Sequence, residues 1–471
     1  MHKGSALIVP RFLTRCANDE FVPPPLIDVE LSAATLSAEA IEAASARLGV
    51  AARDFTASRR GIATGLLGIN RANTGHGEDF FAVPDEATLD AEGADEALGG
   101  DELIIDVQTH YIAGRPACET NRQLIRSLYP DYGPDWWDGL PQPAALDLID
   151  YLRCVYLESD TAVAVLSSAP GISDERMLFN HEMAGTRLLL ERLGAQDRML
   201  NHAVVHPDVD GEIARMPEVI DRIGPVGWKV YTLGATTVSD FGNIQGWYLD
   251  DDIGIQFLEA VRASGMKLVC AHKGLSGLID TGSPRDFGPA AAMFPDITFI
   301  AYHSGFEPGD GEPTDETREG PYTEATAHIG VNRLVHSLRE SKIAPGSNVY
   351  AELGTTWFCL IKRPIEAAHV LGKLLNAVGP DNVLWGTDAI WYGPTQAAVD
   401  TFRAFQIPAW MREEFGYPEL TPGLKAKILG LNAARVYGID IDKARSNMGV
   451  DDMAWARAAM DEFRTTGTPT I

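Results

Sequence analysis

The chain has 471 residues, of which 45% are hydrophobic and 22% charged, enough to bury a sizeable core in one large domain or two ordinary ones. A formal net charge of −27 argues against nucleic acid or an anionic membrane surface as a partner, since either requires a basic patch. The five cysteines (Cys16, Cys118, Cys154, Cys270, Cys359) are scattered and odd in number, which argues against a disulfide framework or a thiolate zinc site and for a reducing, cytoplasmic setting.

Residues 1–100 read as a partly helical N-terminal extension. They contain Pro23-Pro24-Pro25, an Ala/Glu-rich helical stretch around Ser37 to Leu48 and the acidic run Asp85 to Glu102. The sequence assigns this extension no chemical role. Within it, Ser58-Arg59-Arg60 precedes the apolar stretch Gly61 to Ile69, in the manner of a twin-arginine export signal. The motif lies well inside the chain, its apolar run is short and no small-residue cleavage site follows cleanly. A helix with solvated basic first residues is therefore the preferred reading. No apolar run reaches the roughly 20 residues of a membrane-spanning helix.

From Glu102 the rhythm changes. Short Val/Ile-rich runs alternate with longer helical patterns: Leu103–Val107, Thr161–Leu166, Leu200–Val205, Gly227–Tyr231, Lys267–Cys270, Ile297–Ala301, Asn348–Ala351 and Val383–Trp385. Helix candidates between them include Asp174–Leu193, Ile253–Ser264, Gly330–Ser341 and Ile365–Val378. Continuous apolar runs mark strands buried on both faces, and their alternation with helices implies parallel pairing. The pattern predicts an α/β protein with a (β/α)8 TIM barrel over residues 101–440, followed by a helical tail over 441–471. A doubly wound open sheet is the alternative, but no Gly-rich phosphate loop follows the first strand.

The chemistry-bearing residues fall at the strand ends, where a β/α barrel places its active site. Strand one ends in Asp106-Val107-Gln108-Thr109-His110 and strand three in His206-Pro207. Strand four carries Lys229, strand five ends in Ala271-His272-Lys273 and strand six in Tyr302-His303-Ser304. Strand seven carries Glu352, and strand eight ends in Trp385-Gly386-Thr387-Asp388. A single histidine there is readily structural. Three histidines and an aspartate converging on one barrel mouth would cost desolvation energy unless a cation or mutual hydrogen bonds compensated, which points to a metal site.

Strand one, His272, His303, the Trp-Gly-Thr-Asp of strand eight and the closing helix Leu424–Tyr437 together resemble the amidohydrolase superfamily. The resemblance is to its branch of aminocarboxymuconate-semialdehyde decarboxylase and related decarboxylases and hydrolases. It implies ligands to one divalent metal, with Zn²⁺ preferred, at both ends of a strand-one His-x-His, at His272 and at Asp388. It also implies that His303 handles a proton. The first His is replaced here by Gln108, a poorer Zn²⁺ ligand than imidazole, so Gln108 either coordinates through oxygen or drops out. Lys229 would bridge a second ion in binuclear relatives; one ion is preferred, with Lys229 paired to Glu352 or another barrel carboxylate, or touching substrate.

His206, Glu352, Trp357 and Trp391 complete the substrate-binding candidates. Trp136, Trp137, Trp247, Tyr248 and Tyr392 suit a ring-bearing substrate. Lys273, Arg115 and Arg285 are candidates for pairing with a substrate carboxylate, and the loop Glu307 to Glu319 reads as a solvated acidic insertion. The expected activity is metal-dependent hydrolysis of a hydrophobic or aromatic small molecule, with His303 or Asp388 moving protons. The alternatives are non-oxidative decarboxylation of an aromatic or unsaturated acid and a non-catalytic metal-dependent binding protein. The expected partner is a small-molecule substrate, without nucleic acid or membrane, and a homodimer is compatible with these features.

Overall fold

The strands form where the apolar runs lie. They are β1 (Ile104–Thr109), β2 (Thr161–Leu166), β3 (Met199–Asn201, resuming at Ala203–Val204), β4 (Trp228–Tyr231), β5 (Leu268–His272), β6 (Thr298–Tyr302), β7 (Val349–Glu352) and β8 (Val383–Leu384). The computed structural model describes residues 7–18, 20–21, 23–76, 79–114, 146–168, 176–234, 246–276, 279–309 and 318–466. Each strand pairs in parallel with the next. The interruption in β3 is bridged by the His202 N–H, which donates to Leu166 O at 3.0 Å. The ring closes where β8 meets β1. Val107 N–H donates to Trp385 O (3.0 Å), Asp388 N–H to Gln108 O (2.9 Å) and His110 N–H to Ala389 O (2.8 Å), with a parallel bridge between Thr109 and Ala389. Closure distinguishes the barrel from an open doubly wound sheet.

Alternate residues split between two cores, as a strand's period of two requires. Leu268, Cys270, Ile300, Tyr302, Tyr350 and Leu384 share one buried cluster. Their neighbours Val269, Ala271, Phe299, Ala301, Val349 and Ala351 belong to the larger cluster formed with the surrounding helices. Those helices include Asn180–Arg192, Asp252–Ser264, Asn332–Glu340 and Pro364–Ala377. Asp251 caps one of them by accepting from the Gly254 N–H, and Gly265 ends it in the left-handed conformation.

The extension packs on the barrel. Helices Asp28–Leu48 and Arg59–Ala72 contribute Ala33, Ile62, Leu66 and Ile69 to the same cluster as barrel residues Trp357, Phe402 and Phe405. Glu30 and Arg363 form an ion pair across the junction at 2.7 Å. Ser58 caps the second helix, but Arg59 is not simply solvated: it pairs with Asp400 (3.2 Å) and Asp95 (3.1 Å). Helices Ile441–Met448 and Asp452–Thr466 form the tail. Among the described residues no helix is long and apolar enough to cross a membrane. The ends of the acidic loop are pinned rather than solvated. Buried Glu307 accepts from Ser276 and Arg333, and buried Glu319 pairs with Lys373 at 2.7 Å; residues 310–317 lie outside the described residues.

Candidate metal centre

A register irregularity in β1 between Asp106 and Thr109 re-aims the strand's last side chains, so that Gln108 and His110 both reach Asp388 at the end of β8. Asp106 accepts from the Gln108 N–H (3.2 Å), the Thr387 N–H (3.0 Å) and the Thr387 hydroxyl, tying the two strand ends together. Burial pushes its carboxyl up to about 7.

His110 Nδ1 lies 2.9 Å from Ser167 O. A carbonyl only accepts, so Nδ1 carries the proton and the Nε2 lone pair faces Asp388 Oδ1 at 3.1 Å. A lone pair and a carboxylate so close require a proton or a cation between them. Asp388 also accepts from Gln108 Nε2 (2.9 Å) on Oδ1, and from Asn18 Nδ2 (2.6 Å) and Thr355 Oγ1 (2.6 Å) on Oδ2. Burial alone would raise its carboxyl, but the His110 bond and the nearby imidazoles outweigh burial and hold it below the ordinary carboxylate value.

His303 Nδ1 meets Gly354 O at 2.8 Å, which leaves Nε2 to accept from Gln108 Nε2 at 3.3 Å. Burial lowers the His303 imidazolium to about 4. The His303 N–H donates to Glu352 Oε2 (3.1 Å), and Gly354 N–H donates to Glu352 Oε1; burial raises the Glu352 carboxyl to about 8. His272 stacks on Tyr231 with centroids 5.0 Å apart and meets the His303 ring edge-on at 4.7 Å. Its buried Nδ1 has no hydrogen-bond partner and lies 3.9 Å from Glu20 Oε1. Glu20, His272 and His303 each bring one donor atom within 4.8 Å of the others. Imidazole nitrogens and carboxylate oxygens around such a gap fit a divalent transition metal.

A family model described as Amidohydrolase matches residues 105–439. The chain belongs to the amidohydrolase family. Similar solved structures include an uncharacterized TIM-barrel protein from Bordetella bronchiseptica (16% identity, 74% of this chain and 99% of that chain, TM-score 0.46). A second is a 2,6-dihydroxybenzoate decarboxylase complexed with 2,6-dihydroxybenzoate (15%, 72% and 100%, 0.45). A third is a dihydroxybenzoic acid decarboxylase from a Polaromonas species with bound manganese and the inhibitor 2-nitroresorcinol (14%, 73% and 99%, 0.44). No curated protein matches.

Within this amidohydrolase barrel, His110, His272, His303, Gln108 and Asp388 come together, all buried. Trp391 meets the His110 ring edge-on at 5.7 Å, and His206 is buried just beyond β3. Lys229 does not pair with Glu352. Its Nζ has no hydrogen-bond partner and sits 3.6 Å over the Tyr302 ring and 4.8 Å from Tyr231, and burial lowers it to about 8.

Three further sequence expectations are corrected. Trp357 is committed to the helix layer: its Nε1 donates to Ala398 O (3.0 Å) and its ring packs on Phe402 and Phe405. Lys273 is buried against Asp286 at 2.7 Å and is not available to a substrate carboxylate. Trp247 packs on Phe257 in the core. Arg285, by contrast, stays half-exposed beside Asp250 and over Tyr248. Arg115, Trp136 and Trp137 lie outside the described residues. Sequence reasoning missed Asn18, Glu20 and Thr355. None sits in a motif, and the first two come from a segment distant in sequence from every strand end.

Proposed function

We propose that this amidohydrolase-family protein binds one divalent metal and removes carbon dioxide from an aromatic or unsaturated carboxylic acid. The observation that carries this reading is the saturation of Asp388. Its two oxygens accept from Gln108, Asn18 and Thr355 and Oδ1 faces the His110 Nε2 lone pair at 3.1 Å, so it is a stable anion suited to holding a cation and a poor acceptor for a proton from water. That leaves His303 as the proton carrier, and decarboxylation needs a single proton delivered to carbon. Two of the proteins named above are aromatic-acid decarboxylases, in keeping with a reading that rests on Asp388 and not on them.

His110, His272 and Asp388 would hold the ion, Zn²⁺ by preference for imidazole, although carboxylate and amide oxygens also suit Mn²⁺. Bound there, it would supply an electrophile that orients the acid and withdraws charge from it. His303 is held by Gly354 O with Nε2 directed inward. A neighbouring substrate anion raises its proton affinity. As the carbon–carbon bond breaks and CO₂ departs, the electron pair left on carbon takes the Nε2 proton, which solvent then restores. Tyr231, Tyr302 and Trp391 supply aromatic surface beside the histidines. In this reading residues 101–440 are the catalytic barrel of a cytoplasmic protein, with 1–100 as its extension and 441–471 as its tail.

Hydrolysis, the first expectation from the sequence, is the second reading, favoured by the His303 Nε2 lone pair, which can take a proton from water. The test is metal analysis of the purified protein, then a panel of aromatic carboxylic acids and lactones followed separately for CO₂ and for ring-opened product. CO₂ release is expected. Hydrolysed product without CO₂ overturns decarboxylation, full turnover after chelation overturns the metal, and bound metal without turnover across the panel favours a non-catalytic binding protein.

A further inference from the structure

Gln108 stands where the family pattern has its first strand-one ligand, and its side chain is turned to another task. The NH₂ group donates to Asp388 Oδ1 (2.9 Å) and to His303 Nε2 (3.3 Å). Because the carboxylate can only accept, the amide is oriented with nitrogen toward the site. Its Oε1 is buried against Gly354, without a hydrogen-bond partner. The barrel therefore presents one donor fewer than its fold provides for.

The N-terminal extension brings an acid to that gap. Asn18 is buried, and its Nδ2 donates at 2.6 Å to Glu20 Oε2 and at 2.6 Å to Asp388 Oδ2, so one amide joins the two carboxylates. The other oxygen of Glu20 faces the unpartnered, fully buried Nδ1 of His272 at 3.9 Å. That separation is within the span of two metal bonds of about 2.0–2.2 Å each.

We propose that Glu20 is a ligand of the same metal, replacing the strand-one donor that Gln108 does not supply, and that Asn18 positions it against Asp388. The centre is then a composite of barrel and N-terminal segment, and the extension has a chemical role besides packing. This inference rests on the metal reading given above.

The test is competition of the full-length protein against a chromogenic chelator for Zn²⁺ and for Mn²⁺, comparing the parent with Glu20→Gln, Asn18→Ala and His110→Ala. Partners behind a ligand typically change affinity by about 10–100-fold. Glu20→Gln is accordingly expected to weaken binding by about tenfold or more, with Asn18→Ala intermediate between it and the parent. Thermal unfolding of the metal-free proteins checks that Glu20→Gln is folded. Parent-like affinity in Glu20→Gln beside a large loss in His110→Ala overturns the assignment. Unchanged affinity with faster turnover would make Glu20 a plug of the mouth instead of a ligand. A parent that binds neither ion removes the metal reading itself, a result distinct from either of these.

Discussion

Gln108 and His303 share a hydrogen bond and are expected to respond differently to mutation. Gln108 uses its nitrogen to orient Asp388 and His303, so Gln108→Ala should weaken metal retention only mildly, whereas His110→Ala removes an imidazole and should cost far more. Gln108→His places a better Zn²⁺ donor on the same side of β1 and should tighten binding. Chelator competition measures all three; equal losses for Gln108→Ala and His110→Ala would make the Gln108 oxygen a ligand. His303 is held by Gly354 O at 2.8 Å with Nε2 available as acceptor. His303→Asn should lower turnover by about 10²-fold or more with the metal retained. Parallel loss of metal and activity would place His303 in the coordination shell beside Glu20 and His272.

The strand ends are built to hold these groups at a cost. His303, Ser304, Thr355 and Asp388 all have positive φ (63°, 54°, 56° and 58°), a left-handed conformation that costs non-glycine residues on the order of 1–3 kcal/mol each. Their clustering beside Glu352 and Gln108 marks where hydrogen bonds over-determine the backbone. Gly386 in the Trp-Gly-Thr-Asp turn shows how tight this layer is: a Cβ there would overlap Glu352 Oε1, which binds the backbone N–H of Gly354. Gly386→Ala should therefore lower stability by about 1–3 kcal/mol through overpacking and reduce turnover by displacing Glu352 from His303. Gly423→Ala, where an added Cβ meets nothing within 4 Å, is the matched control. Thermal unfolding of the two variants decides it; indistinguishable midpoints would mean that Glu352 yields freely.

Across the whole molecule, the extension and the barrel are one packed unit, joined by a shared apolar cluster and by the Glu30–Arg363 pair. Glu30 is fully buried and also accepts from the Ile27 N–H at 2.8 Å, closing the first turn of its helix. Removing one member of a buried pair strands the other, so Glu30→Gln should destabilise by about 3–5 kcal/mol, read from denaturant midpoints. A loss below about 1 kcal/mol would show that Arg363 finds solvent. Deleting residues 1–56 should impair solubility for the same reason, since Ala33 and Ile41 are buried within that stretch.

The sequence by itself determined the eight strands, their parallel order and the side chains at their ends. Continuous Val/Ile runs broken by helical patterns have few other solutions, and a strand's last polar residues are local information. It also carried the departure at Gln108. Only the tertiary structure decided what those side chains touch. Lys229 rests on tyrosine rings and not on Glu352, because pairing across a barrel depends on shear and twist that no single strand encodes. Lys273 and Trp357 were drawn away by partners elsewhere in the fold, Asp286 and Ala398. Asn18 reaches Asp388 across 370 positions of sequence; only the packing of the extension onto the barrel brings such distant residues together.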